Sequence, residues 1–314
     1  MNANFDQDIP QRMIAALLIR PNGPTGLQVM ETEVPNLLPG DCLVRVHAAA
    51  ITRDELGWST DRLPAIPSHE FAGEVVATPK NGSRFNVGDQ VFGLSSFKRN
   101  GAAAEFIAVS SEHLALKPNS LDYVQSAAVP LAALSAWQGL LIHGNLKTNQ
   151  TVVIHGASGG VGSYAVQIAK EQGARVIATT SSGDPALISR LGADEVISGK
   201  FLALHDQISN VDLVFDTAGG ERLANSHSYI RDGGILVSLA TEPPQASNLE
   251  RNIRVKYFVV KQNSSQLEDI SNLIQSGKLL PIIDRIFQLR DARDAFEYLQ
   301  GIHGAGKIVL EITK

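Results

Sequence analysis

The chain has 314 residues, 44% of them hydrophobic and 19% charged, which is enough for about two packed domains with sizeable cores. A net charge of −5 without any basic run excludes a phosphate-backbone footprint for nucleic acid, and no apolar stretch approaches the ~20 residues that a membrane-spanning helix needs. The single cysteine, Cys42, excludes an internal disulfide; with Asp6 and Asp8 in a first dozen residues that lack an apolar signal core, the expected compartment is the cytoplasm.

The first third reads as β-structure. Short alternating runs at 13–20, 42–48, 71–77 and 104–109 are separated by turns such as Pro21-Asn22-Gly23 and Pro39-Gly40-Asp41, and Val87-Gly88-Asp89 feeds another strand. Many short strands at this spacing predict a small barrel or sandwich. Cys42 opens the alternation Leu43, Val44, Val46 and is expected at a strand edge, with no nucleophilic role.

The pattern changes near Tyr123. An alanine-rich helix is expected over 126–141, with Pro130 marking a break or a start. Strand 151–155, helix 160–172, strand 175–178, helix 186–191 and strands 211–215 and 234–239 follow, and Val161, Ala165, Ile168 and Ala169 share one face of the long helix. Strands alternating with helices predict right-handed βαβ units and a doubly wound parallel sheet. The tail from Leu267 reads as helix, extended segment, helix and a closing strand, Ile308-Val309-Leu310, expected to return to the first domain. The resulting α/β organisation is a discontinuous β-barrel domain, 1–122 with 262–314, and a nucleotide-binding domain, 123–261.

The most informative stretch is Thr151-Val152-Val153-Ile154-His155-Gly156-Ala157-Ser158-Gly159-Gly160-Val161-Gly162. A buried strand runs through a turn of very small residues directly into a helix. A dinucleotide pyrophosphate needs this: a sharp turn, backbone approach without an intervening Cβ, and helix N–H groups aimed at the anion. Ala157 takes the first glycine position of the fingerprint, Gly159 and Gly162 the next two, and Ser158, Gly160 and Val161 complete the expected contact set. A further strand about 20 residues on supplies the context that gives the motif weight.

The end of that strand bears on the cofactor. NAD enzymes carry an acid there for the ribose 2′-hydroxyl, whereas this chain reads Thr179-Thr180-Ser181-Ser182, with Asp184 beyond. Thr180, Ser181 and Ser182 can donate to a 2′-phosphate and Arg190 can add charge, so NADPH is favoured over NADH. The competing reading is that the hydroxyls cap the next helix.

With the turn in place, further motifs fall in order: Gly40-Asp41-Cys42-Leu43-Val44-Arg45-Val46, Val87-Gly88-Asp89-Gln90-Val91-Phe92-Gly93, Ala133-Leu134-Ser135-Ala136-Trp137, Phe215-Asp216-Thr217-Ala218-Gly219-Gly220 and Gly306-Lys307-Ile308-Val309-Leu310. Over nearly its full length the chain resembles the zinc-independent, quinone oxidoreductase branch of the medium-chain dehydrogenases/reductases. That resemblance implies a GroES-like domain completed by the C-terminal tail, a Rossmann domain, and a cofactor cleft between them. It implies Ser135, Leu239, Ala240 and Phe258 beside the nicotinamide, with Thr52, Asp54 and Trp58 from the other domain and Thr52 as the polar contact to the acceptor. It also implies a homodimer through the Rossmann edge near 253–259.

Zinc-dependent members of the superfamily need three protein ligands. Ser68-His69-Glu70 retains a histidine, but Ile51-Thr52-Arg53-Asp54 has no cysteine and neither does the region before Trp137. His69 is therefore expected to be packed or to line the cleft, without binding metal. Quinones and enones suit such a site, since charge delocalisation reduces the help that hydride acceptance requires. All five tyrosines lie after residue 122, which argues against a phenolic proton donor in the N-terminal half of the cleft. Two alternatives stand beside this small-molecule reductase: an NADPH-binding redox sensor or structural subunit with little turnover, and a zinc alcohol dehydrogenase with unusual ligands, prompted by His69 and Glu70.

Overall fold

The computed structural model describes residues 4–5, 9–58, 61–79, 82–181, 184–199, 208–243, 252–301 and 304–312. In chain order the first strands are β1 (Asn4–Phe5), β2 (Arg12–Leu18), β3 (Leu27–Glu33), β4 (Asp41–Ile51), β5 (Glu70–Thr78), β6 (Gln90–Leu94), β7 (Phe106–Ser110) and β8 (Leu114–Leu116). Helices α1 (Tyr123–Ala127) and α2 (Pro130–Trp137) lead into the alternating region. That region comprises β9 (Thr151–His155), α3 (Gly160–Glu171), β10 (Arg175–Thr180), α4 (Pro185–Arg190), β11 (Glu195–Ser198), β12 (Val211–Asp216), α5 (Gly220–Asn225), β13 (Ile230–Ser238) and β14 (Arg254–Tyr257). The tail adds α6 (Ser264–Gln275), β15 (Ile283–Gln288), α7 (Ala292–Gln300) and β16 (Lys307–Glu311).

Strands β9 to β14 form one six-stranded sheet in the order β11-β10-β9-β12-β13-β14, every pairing parallel. Crossovers leave β9 towards β10 on one side and return to β12 on the other, so the order reverses between β9 and β12. A crevice opens at such a reversal, beyond the carboxyl ends of the strands. Residues Val152 to His155 are all buried, as expected where helices cover both faces of a parallel sheet.

The second sheet has the order β15-β16-β4-β5-β6-β8, with β1 on β5 and β7 on β4, and a small hairpin-like pair β2–β3 lies beside it. The tail enters this sheet: β16 pairs antiparallel with β4, from Ile308 opposite Ile51 to Glu311 opposite Ala48. Arg12–Leu18 pairs along its whole length with β3, Arg12 opposite Glu33 through Leu18 opposite Leu27.

The expected helix over 126–141 is broken. Asp122 caps α1 in a reciprocal box with Gln125, α1 stops at Ala127, and Pro130 starts α2 at its first turn, where its missing N–H costs nothing. After Trp137 the winding loosens into a π-helical turn over Gln138–His143. A Cβ on Gly139 would lie 2.2 Å from the Phe215 ring, so the chain here must pass β12 without a side chain. From Pro130 to Ala136 α2 is buried throughout, and one continuous apolar cluster runs from Ala48 and Phe92 of the first sheet through Leu131 and Leu134 to Ile154 and Phe215 of the second.

Candidate cofactor and acceptor site

β9 ends at His155 and the chain reverses at Gly156, whose φ of +74° places it in the left-handed region that favours glycine. Gly159 is the N-cap of the 12-residue α3, and no side chain caps that terminus. The Gly159 N–H is donated to the Gly156 carbonyl at 2.9 Å, and Gly159 pairs with Gly306 in an isolated parallel bridge, so an anion here is met by the next amides of the first turn. A Cβ on Gly162 would lie 2.1 Å from the Gly156 carbonyl oxygen; only glycine lets the helix sit this close to the turn. The third glycine of a dinucleotide fingerprint does the same work. Ala157 faces the core, fully buried, with its N–H donated to the Thr179 carbonyl at 3.0 Å. It shapes the turn from beneath, while Gly159, Gly160 and Val161 are partly open.

The ribose end differs from expectation. Thr180 is 1% exposed and its hydroxyl pairs with that of Ser158 at 2.8 Å, so both are committed to bracing the turn against β10. Ser181 is exposed, and Ser182 lies outside the described residues. Arg190 points into solvent, 3.8 Å from Asp184, which itself caps α4 through the Ala186 N–H. The cation at this corner is Arg222 on α5. It donates to Thr179 Oγ1 at 3.0 Å and to the Thr180 carbonyl at 3.3 Å, and also reaches the Gly199 carbonyl. Its partners among the described residues are neutral oxygens, so its positive charge is uncompensated there. Beneath it, buried His155 bonds Thr179 at 2.8 Å and Tyr229 at 2.8 Å, and burial with the nearby Arg222 cation pushes its pKa down to about 3.

At the other end of the crevice lies a buried charged cluster. The aliphatic stem of Lys307 lies over the start of α3: a Cβ on Gly160 would meet Lys307 Cδ at 2.5 Å. Its ammonium pairs with Glu70 Oε1 at 2.5 Å and donates to the Ile51 carbonyl at 2.9 Å and to Thr52 Oγ1 at 3.2 Å. The second oxygen of Glu70 accepts from Leu131 N at 2.9 Å, so this carboxylate joins β5, β16 and the start of α2. Glu55, 2% exposed, accepts from Ser68 N at 3.1 Å and holds a serine whose φ is +67°. Desolvation raises the Glu55 pKa to about 8, partly opposed by Lys307 and reinforced by Glu70.

The remaining expected site residues are distributed around this cluster. Asp54 is exposed and precedes a short 3-10 turn, and Trp58 is 39% exposed, stacked near His69 and edge-on to Phe97. Ser135 is 3% exposed within α2; Leu239 and Ala240, partly exposed, follow β13 at the crevice; Phe258 is buried against the His143 ring, 4.5 Å between centroids. Neither Glu55 nor Arg222 was legible as a site residue, and Lys307 appeared only as a letter of a terminal motif.

Whether these residues suit zinc turns on His69. Its Nδ1 lies 2.9 Å from Ser95 Oγ, while Nε2 has no hydrogen-bond partner and the ring packs against Trp58 and Phe97, which also touch each other. Burial, with Arg62 nearby, lowers its pKa to about 4. Among the described residues no three His, Cys, Asp or Glu side chains converge as a metal-holding group. The donor set does not fit the ion.

A doubly wound sheet with an open glycine turn, packed against a barrel-like sheet that brings a polar residue to the same crevice, defines a two-domain dinucleotide-dependent oxidoreductase. Comparison with known proteins agrees. Residues 38–119 match the family description "Alcohol dehydrogenase GroES-like domain", and residues 191–310 match "Zinc-binding dehydrogenase". A "Probable zinc-binding oxidoreductase, mitochondrial" of Arthroderma benhamiae is 31% identical over 91% of this chain and 92% of its own length. The "NADPH-dependent alkenal/one oxidoreductase, chloroplastic" of Arabidopsis thaliana is 31% identical over 99% of this chain and 82% of its own. A solved quinone oxidoreductase from Coxiella burnetii superposes with a TM-score of 0.89 at 28% identity, covering 96% of this chain and all of that one. The chain belongs to the medium-chain dehydrogenase/reductase superfamily, in its quinone oxidoreductase and alkenal reductase-like branch. It is thus an NAD(P)H oxidoreductase that acts on a small molecule.

Proposed function

We propose that this protein is an NADPH-dependent, zinc-free reductase that passes hydride to a quinone, an enone or another small conjugated carbonyl. The observation that carries the reading is the uncapped, glycine-rich start of α3, overlaid by Lys307 and thereby joined to Thr52. Bound there, the cofactor supplies the hydride. The protein's own residues do the rest: backbone amides of the turn and of the first turn of α3 hold the pyrophosphate, Arg222 faces the 2′-phosphate, and Thr52 donates a hydrogen bond to the acceptor. A His69 cluster without metal-ligand geometry supports acceptors that need no Lewis acid. The names of the Arabidopsis and Coxiella relatives point to the same two acceptor classes.

Steady-state NADPH consumption against a panel of quinones and enones is the test; turnover with at least one class is expected, and silence across the panel with intact cofactor binding would favour the sensor reading. We further propose a homodimer built on β14, an edge strand of the parallel sheet that ends at Tyr257, 42% exposed, with Val259, 59% exposed, just beyond it. Sedimentation at micromolar concentration should give twice the chain mass, and a single-chain mass would contradict it.

A further inference from the structure

Lys307 is an ammonium enclosed by oxygens: Glu70 Oε1, the Ile51 carbonyl and Thr52 Oγ1. A lysine ammonium has three protons and no lone pair, so towards Thr52 it can only donate. The Thr52 hydroxyl is then an acceptor on its lysine side, and its own single proton is left to point elsewhere. Glu70, Ile51, Glu55 and Lys307 are all 6% exposed or less, whereas Thr52 is half-buried and is the member of the group that reaches solvent. The lysine stem crosses the first residue of α3, so this hydroxyl stands at the same crevice as the phosphate turn.

We propose that Thr52 and Lys307 form an oxyanion site: Thr52 donates to the acceptor's carbonyl oxygen, and Lys307 is the positioning residue that aims that hydroxyl and lends it positive potential from a buried point. This rests on the reductase reading and narrows it. The favoured acceptors are those in which charge develops on an oxygen, a quinone or an α,β-unsaturated ketone or aldehyde, and an isolated alkene gains nothing. Donors fixed in a water-excluded setting are worth far more than the same groups in water. Glu70 keeps the ammonium in place through a helix amide and an ion pair, and Glu55 stands beside the same cation, opposite in effect once ionised.

The test needs no turnover. p-Nitrophenol binds as a stand-in for the oxygen that gains charge, and its visible band reports whether it is bound as phenol or phenolate. On the wild-type protein its apparent pKa is expected to fall by about one unit, a roughly tenfold preference for the phenolate. Thr52→Ser should keep that shift and Thr52→Val should abolish it; both changes are at a half-exposed position. Lys307→Met should abolish it as well and Lys307→Arg should restore part of it. Because Lys307→Met strands Glu70, the Lys307→Met/Glu70→Gln pair gives a second variant without an unpaired buried charge. In steady state, Thr52→Val and the double variant should lower kcat for an enone by tenfold or more, and in Thr52→Val NADPH affinity should stay within twofold. No phenolate preference in the wild type, or the same preference in Thr52→Val, would overturn the oxyanion site. A wild type that shows the preference yet consumes no NADPH with any quinone or enone would overturn the reductase reading and leave the site standing.

Discussion

Arg222 lies against the end of β10, the second strand of the sheet's fingerprint unit, and its hydrogen bonds there go to the Thr179 hydroxyl and the Thr180 carbonyl. A guanidinium in that position can grip a phosphate through two N–H groups, but gains little from a hydroxyl. Arg222→Gln is therefore expected to weaken NADPH binding about tenfold to a hundredfold, on the scale of ~1.5–3 kcal/mol for a charged hydrogen bond, and to leave NADH affinity nearly unchanged. Titrations of both cofactors followed by fluorescence check this, and an equal loss for both would remove Arg222 from the phosphate corner. Glu55 makes a different kind of statement. Its pKa, raised from 4.5 to about 8, means that the folded protein keeps a proton which the unfolded chain releases in that window. Stability from this group is full below about pH 4.5 and is lost as the pH rises through about 8, at ~1.4 kcal/mol for each unit. Glu55→Gln lacks the ionisation, so its Tm relative to wild type should rise steadily from pH 5 to pH 8; a constant difference would show that Glu55 is ionised throughout.

At the scale of elements, the turn between β9 and α3 was legible because all of its requirements are local. Gly156 must turn, Gly159 must leave the terminus bare and Gly162 must admit the Gly156 carbonyl, and these residues are consecutive enough to be read together. Gly162→Ala places a Cβ against backbone that has no room to retreat, and is expected to lower Tm by several degrees and to abolish measurable NADPH binding, both visible in one thermal-shift series with and without cofactor. Other elements were hidden for physical reasons. β14 and β15 are edge strands with half-exposed, mixed side chains; β14 alternates over only the four residues Arg254-Val255-Lys256-Tyr257, and β15 does not alternate at all. The helix expected over 126–141 is apolar on all sides, which conceals the break at Ala128-Val129 and the loosened turn after Trp137. Thr180 looked like a phosphate donor because its hydroxyl is visible in the sequence; its partner Ser158, on the neighbouring strand's turn, is not.

For the whole molecule, what matters is that the C-terminal strand closes the first sheet. β16 lies against β4 across more than two hundred and fifty residues of chain, and only that pairing brings Lys307 to Thr52 and Gly306 to the phosphate turn, where its N–H reaches the Ser158 carbonyl at 2.9 Å. No local pattern encodes such a meeting, so the acceptor end of the crevice was open to sequence reasoning in its residue types and closed to it in its geometry. The shared apolar core from Ala48 to Phe215 then keeps the two sheets in register, and the crevice between them inherits that rigidity. One measurement tests this account most directly: titration of the purified protein with NADPH, following cofactor fluorescence, in wild type and in Gly162→Ala. Saturable enhancement or a blue shift in the wild type, tighter for NADPH than for NADH and absent in the variant, is the expected result. A wild type that leaves the emission of both cofactors unchanged would contradict the claim that the start of α3 holds a dinucleotide.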